Sequence, residues 1–143
     1  SIVYPEIAEM QTRAIVGAAI QARTEHVEVK PRLLLPFVVT DHEVDLISSV
    51  IVASAASTCL KSGFQCDLNS LEISIGAMIE TPRACIRADR IAEAPNVSFV
   101  SGGGDNLSQL VFGLSKEDSD AFMVMMKSKK SKFNNEGQKR TNL

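Results

Sequence analysis

The sequence has little cysteine and no dominant charge, and both shortages exclude broad classes of protein. Its three cysteines, Cys59, Cys66 and Cys85, are odd in number and show no C-x-x-C spacing. Neither a disulfide framework nor a zinc site is therefore expected, and the thiols are predicted to be reduced. The net charge is −2 with 22% charged residues, so no overall field favours nucleic acid as a partner.

Long apolar runs and a secretory leader are also missing. No stretch of about 18 apolar residues is present, so a membrane partner is not expected. Tyr4-Pro5-Glu6 and Glu9 interrupt the pattern of a secretory signal, which predicts an intracellular protein. What the chain does have is 45% hydrophobic residues over 143 positions, enough for one compact domain with a sizeable core.

Apolar spacing and turn residues predict alternating helices and strands. Predicted helices run from Pro5 to about Arg23, from Thr40 or Asp41 to Gly63, from Thr81-Pro82 to about Ala94, after Asp105 as a cap, and from about Lys116. Predicted strands run from Leu33 to near Pro36, from Leu71 to Ile79 and from Asn96 to Val100, with a polar loop at Gln65–Ser70.

This alternation calls for parallel strands joined by crossover helices, which is an α/β fold. A closed barrel has eight strands and about 250 residues. Three β/α units therefore make either part of a (β/α)8 TIM barrel or a small open sheet, and the chain length favours a part. The edge strands of a fragment expose unpaired backbone groups, so the rest of a barrel or another protein chain is expected to cover them.

The composition changes after residue 126. Residues 127–143 carry five lysines and Arg140 against a single acid, Glu136. We therefore predict a partial barrel domain over residues 1–126 and a basic, disordered tail over 127–143. For a tail of this length, a solvated end is favoured over a nucleic-acid contact.

Polar residues follow two of the predicted strands, where parallel α/β folds place their chemistry. Glu80 comes directly after an apolar strand, so its carboxylate is expected at the mouth of the site rather than in the core, and Asp105 and Asn106 follow the next strand. Oxygen ligands of this kind suit Mg²⁺ bridged to substrate phosphate. The structural alternative is that Glu80 favours a helix N-terminus and Asp105 caps a helix.

Three stretches of sequence resemble consecutive motifs of pyruvate phosphate dikinase and related phosphoenolpyruvate (PEP)-utilising enzymes. They are Tyr4–Ala14, Ile75–Ala84 and Asn106–Gly113. The resemblance implies a C-terminal PEP-binding barrel that binds Mg²⁺ with PEP or pyruvate and exchanges a phosphoryl group with a phosphohistidine domain. The complete enzyme would use ATP and phosphate, in the cytoplasm, a plastid or a glycosome.

The same resemblance assigns candidate site residues. Glu80 matches the family's metal-binding glutamate. The family motif Ser-Phe-Gly-Thr-Asn-Asp-Leu-Thr-Gln aligns with residues 101–109, which makes Gly103, Gly104 and Asp105 candidate substrate-binding residues and Asn106, with Asp105, the candidate second metal ligand. The Asn-Asp pair of the motif is reversed here, and this weakens the predicted Mg²⁺ site because an amide oxygen is a poorer ligand than a carboxylate.

Other parts of the family's machinery are not found in the sequence. The resemblance places the phosphate-binding arginines before Ser1 and the proton-donor cysteine beyond Phe122, so no catalytic residue is assigned and the chain alone looks incomplete. Arg13, Arg32 and Arg83 are interpreted as structural or solvated. Besides a dikinase segment, two other functions stay open: a degenerate, non-catalytic paralogue acting as a structural or interaction subunit, and a weak binder of Mg²⁺ with small carboxylate or phosphate ligands.

Overall fold

The computed structural model describes residues 2–63, 71–115, 117–118, 122 and 124–125. The chain divides into two compact units, Ser1–Gly103 and Gly104–Leu143. The first unit contains α1 (Pro5–Thr24), β1 (Arg32–Leu35), α2 (Asp41–Lys61), β2 (Ser74–Ile79), α3 (Pro82–Ile86), α4 (Ala88–Ala92) and β3 (Val97–Gly102). The second unit contains α5 (Gly104–Phe112).

The three strands form one parallel sheet in the order β1-β2-β3. This confirms the predicted α/β alternation, because parallel neighbours require a crossover connection. The central strand is buried over Ile75–Ala77, as its continuous apolar run predicts. In the described sheet β1 and β3 are the edges.

Helices cover one face of this sheet. The buried side chains of β1 and β2 that point to this face form one core with residues of α2, α3 and α4; they are Leu33, Leu35, Ile75 and Ala77. Successive strand residues point to opposite faces, so Leu34 and Gly76 belong to the other face. There the Phe99 ring lies over Gly76, and the Arg32 guanidinium lies 5.7 Å from the centroid of that ring.

The two long helices, α1 and α2, begin at residues that favour a helix start. Pro5 occupies the first turn of α1, where its missing N–H costs nothing. At α2 the Thr40 hydroxyl accepts from the Glu43 N–H, while the Glu43 carboxylate accepts from the Thr40 and Val39 N–H groups, which is a capping box. The predicted Thr40/Asp41 start is therefore confirmed.

Helix α2 is also long and apolar enough to cross a membrane by length and composition alone. In the first unit, however, the apolar residues of α2 are core residues. Val44, Ile47 and Ile51 pack against the sheet, and Ala55 and Cys59 pack against Val16 and Ile20 of α1.

Four boundaries differ from the sequence prediction. The strand predicted from Leu71 begins at Ser74, after Glu72 takes a left-handed φ of 52°. The helix predicted through Ala94 is two short helices that meet at Arg87, with φ −110° and ψ 19°. The third strand extends to Gly102, and Asp105 lies inside α5 rather than capping it, because α5 begins at Gly104.

The cysteines are partly as predicted. Cys85 is an exposed free thiol, but Cys59 is disulfide-bonded, so the prediction of reduced thiols is wrong there. Cys66, the predicted loop Gln65–Ser70 and the basic tail 127–143 lie outside the described residues, as does most of the helix predicted from Lys116.

Candidate functional site

Glu80 follows β2 directly and is buried, with 3% of its surface exposed. Its Oε1 atom accepts a hydrogen bond of 2.7 Å from the backbone N–H of Phe37, at the end of β1. Glu80 therefore lies at the carboxyl end of its strand, as predicted, and its side chain is buried there rather than open to solvent. A buried carboxylate needs hydrogen-bond donors, and the end of the neighbouring strand supplies one.

Phe37 has an unusual backbone conformation that explains why its N–H reaches Glu80. Its φ is +54°, in the left-handed region that bulky residues rarely adopt and that costs about 1–3 kcal/mol. The residue is 56% exposed, so packing of the side chain in the core does not account for this conformation. Hydrogen bonds to the backbone of the β1–α2 connection hold it instead.

Thr81 provides a second tie to the same connection. Its hydroxyl donates to the Val38 carbonyl at 3.1 Å and accepts from the Ala84 N–H at 3.2 Å, which makes Thr81 the N-cap of α3. The residue is buried, with 7% of its surface exposed. The consecutive residues Glu80 and Thr81 thus link the end of β2 to the backbone of Phe37 and Val38.

Gly103 lies on the other side of Glu80, just after β3. Its N–H donates to the Ile79 carbonyl at 3.0 Å. A Cβ added to Gly103 would come within 3.0 Å of both the Glu80 Cβ and, at 2.9 Å, the Glu80 Oε2, closer than real Cβ atoms come to their neighbours. Gly103 therefore packs its backbone directly against the Glu80 side chain. We call Phe37, Glu80 and Gly103 the strand-end cluster.

The remaining candidates of the predicted site are at the start of the second unit. Gly104 is the first residue of α5 and Asp105 and Asn106 follow in its first turn. Gly104 and Asp105 are exposed and Asn106 is half-buried. An acid in the first turn of a helix is favoured by the helix dipole. Asp105 could therefore stabilise α5 without binding a ligand, which is the structural alternative considered for it.

A charged pair lies on the connections that leave β1 and β2. The Arg87 guanidinium donates two hydrogen bonds to Asp41 Oδ1, from Nε at 3.1 Å and from Nη2 at 2.5 Å. The hydrogen bond from Arg87 holds the pKa of Asp41 below its ordinary value, and the backbone hydrogen bond at the start of α2 acts in the same direction. This pair joins the start of α2 to the junction of α3 and α4.

The acidic side chains can be compared with two kinds of magnesium site, one formed by protein ligands alone and one completed by substrate and water. In residues 2–63 and 71–115 and the few described beyond them, no group of three His, Cys, Asp or Glu side chains is placed to hold a metal. An all-protein metal cage is therefore not found there. Mg²⁺ in phosphate-transferring sites uses one or two carboxylates and completes its shell with substrate oxygens and water. Glu80, at the strand ends, could supply one such carboxylate.

The arginines are placed as predicted from the sequence. Arg13 lies on α1 and Arg83 on α3, both exposed, and Arg32 opens β1 at the end opposite Glu80. None of the three is at the strand-end cluster.

Comparison with known proteins settles the family. The family model described as "PEP-utilising enzyme, PEP-binding domain" matches residues 1–134. The chain belongs to this family of PEP-utilising enzymes. Curated relatives are named pyruvate, phosphate dikinase: the protein from Giardia intestinalis is 38% identical over 122 residues, covering 85% of this chain, and that from Rhizobium meliloti is 40% identical over 130 residues, covering 90%. A chloroplastic relative from Mesembryanthemum crystallinum is 38% identical over 128 residues, also covering 90% of the chain.

The chain spans only 13 to 14% of the length of these PEP-utilising relatives. The resemblance identified from the three motifs is confirmed, and the fold is confirmed as a three-stranded parallel β/α arrangement. Nothing in the similarities favours the alternative of a degenerate, non-catalytic paralogue.

Two features of the site are not predictable from the sequence. One is the left-handed conformation of Phe37, for which the only local signal is the preceding Pro36, a residue compatible with many loop shapes. The other is Thr81, which reads as an ordinary N-cap before Pro82 but also binds Val38, 43 residues away.

Proposed function

We propose that this chain forms part of the PEP- and pyruvate-binding domain of a pyruvate, phosphate dikinase. The observation that carries the proposal is the joint position of Glu80 and Gly103 at the carboxyl ends of adjacent parallel strands, within a chain of the PEP-utilising family. Ligands of parallel α/β folds bind at this end of the strands.

The partial-barrel architecture belongs to the same proposal. Helices α2, α3 and α4 pack on one face of the sheet, and the opposite face carries Leu34, Gly76 and Phe99. A (β/α)8 barrel needs this arrangement, because all its helices lie outside and the other face of the sheet lines the interior. The remaining strands of a barrel are the proposed cover for the edges of β1 and β3.

Within this proposal Glu80 is the magnesium ligand, and Gly103, Gly104 and Asp105 contact the substrate. Asn106, with Asp105, occupies the place of the second metal ligand. When bound, Mg²⁺ would stabilise negative charge on substrate oxygens during phosphoryl transfer with a phosphohistidine domain. The role of the chain's own residues is to hold the substrate at the strand ends, while ATP and phosphate belong to the complete enzyme.

The proposal is tested by calorimetric titration of PEP into the chain, with and without Mg²⁺. Metal-dependent binding is expected, and it should be lost in Glu80→Gln, which keeps the side-chain shape but removes the charge. Glu93→Gln, an exposed acid on the same unit, is the matched control and should bind as the parent does. Binding that ignores Mg²⁺, or that survives Glu80→Gln, would contradict the assignment of Glu80.

The reversed pair gives a second test of the same site. The double variant Asp105→Asn with Asn106→Asp restores the residue order of the family motif. It should bind Mg²⁺ and PEP more tightly than the parent, because the carboxylate then occupies the proposed ligand position. Equal or weaker binding would remove Asn106 from the proposed metal site.

A further inference from the structure

The strand-end cluster joins the ends of all three described strands through one side chain. Glu80, after β2, accepts from the Phe37 N–H after β1 through Oε1, at 2.7 Å. Its Cβ and Oε2 lie against the backbone of Gly103 after β3, too close to admit a Cβ there. The Glu80 side chain is therefore contacted from both sides, by a hydrogen bond on one and by the backbone of Gly103 on the other.

Glycine is needed at position 103 because a side chain there would collide with Glu80, and not because the backbone conformation requires glycine. Its φ is not in the left-handed region, so alanine could adopt the same backbone conformation. The neighbouring Gly102 and Gly104 have open space where a Cβ would be. Of these three consecutive glycines, Gly103 alone would collide with Glu80 if it carried a side chain.

We propose that Gly103 is a positioning residue: by leaving room for the Glu80 side chain it directs the carboxylate to the Phe37 N–H, and so sets the conformation of the β1–α2 connection before any ligand binds. The consequence for PEP binding rests on the function proposed above. The positioning of Glu80 by Gly103 does not depend on that function. Phe37 is the reporter, because its N–H donates to Glu80 and the residue is otherwise exposed, with a left-handed φ.

The experiment is residue-resolved hydrogen exchange by NMR on the ligand-free chain, comparing Gly103→Ala with the matched control Gly102→Ala. The rate for the Phe37 amide is divided by that for the Ala77 amide in the central strand, which corrects for any global loss of stability. In Gly103→Ala this ratio should rise about tenfold or more, as for loss of a hydrogen bond to a charged group. In Gly102→Ala it should stay at the parent value.

A rescue variant separates positioning from general damage. Glu80→Gly combined with Gly103→Ala removes the colliding side chain, so protection of the Ala77 amide should return while the Phe37 amide stays fast. If Gly103→Ala alone does not fold, Glu80→Gln replaces it, and the Phe37 ratio should rise there also because a charged acceptor is lost. An unchanged Phe37 ratio in the folded Gly103→Ala variant, or in Glu80→Gln, would overturn the proposal.

Binding measured on the same samples distinguishes this inference from the proposed function. If the parent chain binds PEP with Mg²⁺, Gly103→Ala should weaken that binding and Gly102→Ala should not; equal weakening by both variants would count against positioning by Gly103. If the parent chain binds no PEP, the proposed function fails for the chain alone, and the exchange ratio still decides the role of Gly103.

Discussion

Glu80 and Phe37 are 43 residues apart in sequence and are joined by a 2.7 Å hydrogen bond from a backbone N–H to a buried carboxylate. This bond connects the ends of two neighbouring parallel strands. It gives the carboxylate a structural role in addition to the ligand role proposed for it. The two roles make different predictions for substitutions at Glu80.

The first prediction concerns the stability of Glu80→Ala. The change removes an acceptor from the Phe37 N–H and should lower the free energy of unfolding by about 1.5–3 kcal/mol, the range for hydrogen bonds to charged groups. Urea denaturation followed by circular dichroism measures this, with Glu93→Ala as an exposed control expected within about 0.5 kcal/mol of the parent. If Glu80→Ala were more stable than the parent, the carboxylate would be kept for ligand binding at a cost to the fold.

The second prediction concerns the hydroxyl of Thr81. Thr81→Val keeps the shape but loses the bonds to the Val38 carbonyl and the Ala84 N–H, so it should lower the free energy of unfolding by about 1–2 kcal/mol. Thr81→Ser keeps the hydroxyl and should cost less than half as much. The urea midpoints of the two variants provide the measurement. Equal losses in both would mean that the methyl group, not the hydroxyl, matters at this position.

Much of the fold could be predicted from the sequence because its signals are local. Pro5 and the capping box of Thr40 and Glu43 mark helix starts, and their effects depend on residues only a few positions away. The apolar run of β2 indicates a strand buried on both faces. The motifs around Glu80 then indicate the family without any knowledge of the fold.

The rest depends on contacts between distant segments. An acid after an apolar strand is predicted to lie at the mouth of the site, and the burial of Glu80 depends on distant segments, among them the donor at Phe37 and the space at Gly103. The break at Arg87 contains no glycine or proline, and it coincides with the pairing of Arg87 with Asp41, 46 residues away. Neither contact has a signal within the usual window of sequence patterns.

The third prediction gives two glycines opposite effects. A Cβ on Gly76 would collide with the Phe99 ring, whereas one on Gly17, in the exposed part of α1, meets nothing within 4 Å. Gly76→Ala should therefore destabilise the chain by about 1–3 kcal/mol through overpacking. Gly17→Ala should stabilise it by about 0.5–1 kcal/mol, because alanine favours the helix.

Thermal and urea unfolding of the two glycine variants test these signs. In a Phe99→Leu background the smaller side chain relieves the collision, so the cost of Gly76→Ala should fall. Destabilisation by Gly17→Ala, or an undiminished cost of Gly76→Ala in that background, would contradict the packing described for β2 and β3.

The last prediction is a pH dependence arising from Asp41. The hydrogen bond from Arg87 lowers the pKa of Asp41 in the folded chain, while the unfolded value is about 3.9. A depressed folded-state pKa contributes stability that is fully present above the unfolded value and is lost as the pH falls through the folded value. The difference in urea midpoint between the parent and Asp41→Asn should therefore be constant at pH 5–7 and shrink below about pH 4. Arg87→Gln should abolish most of this pH dependence, and Glu93→Gln should leave it unchanged. A difference that grows toward low pH would mean that Asp41 is not stabilised in its charged form by Arg87.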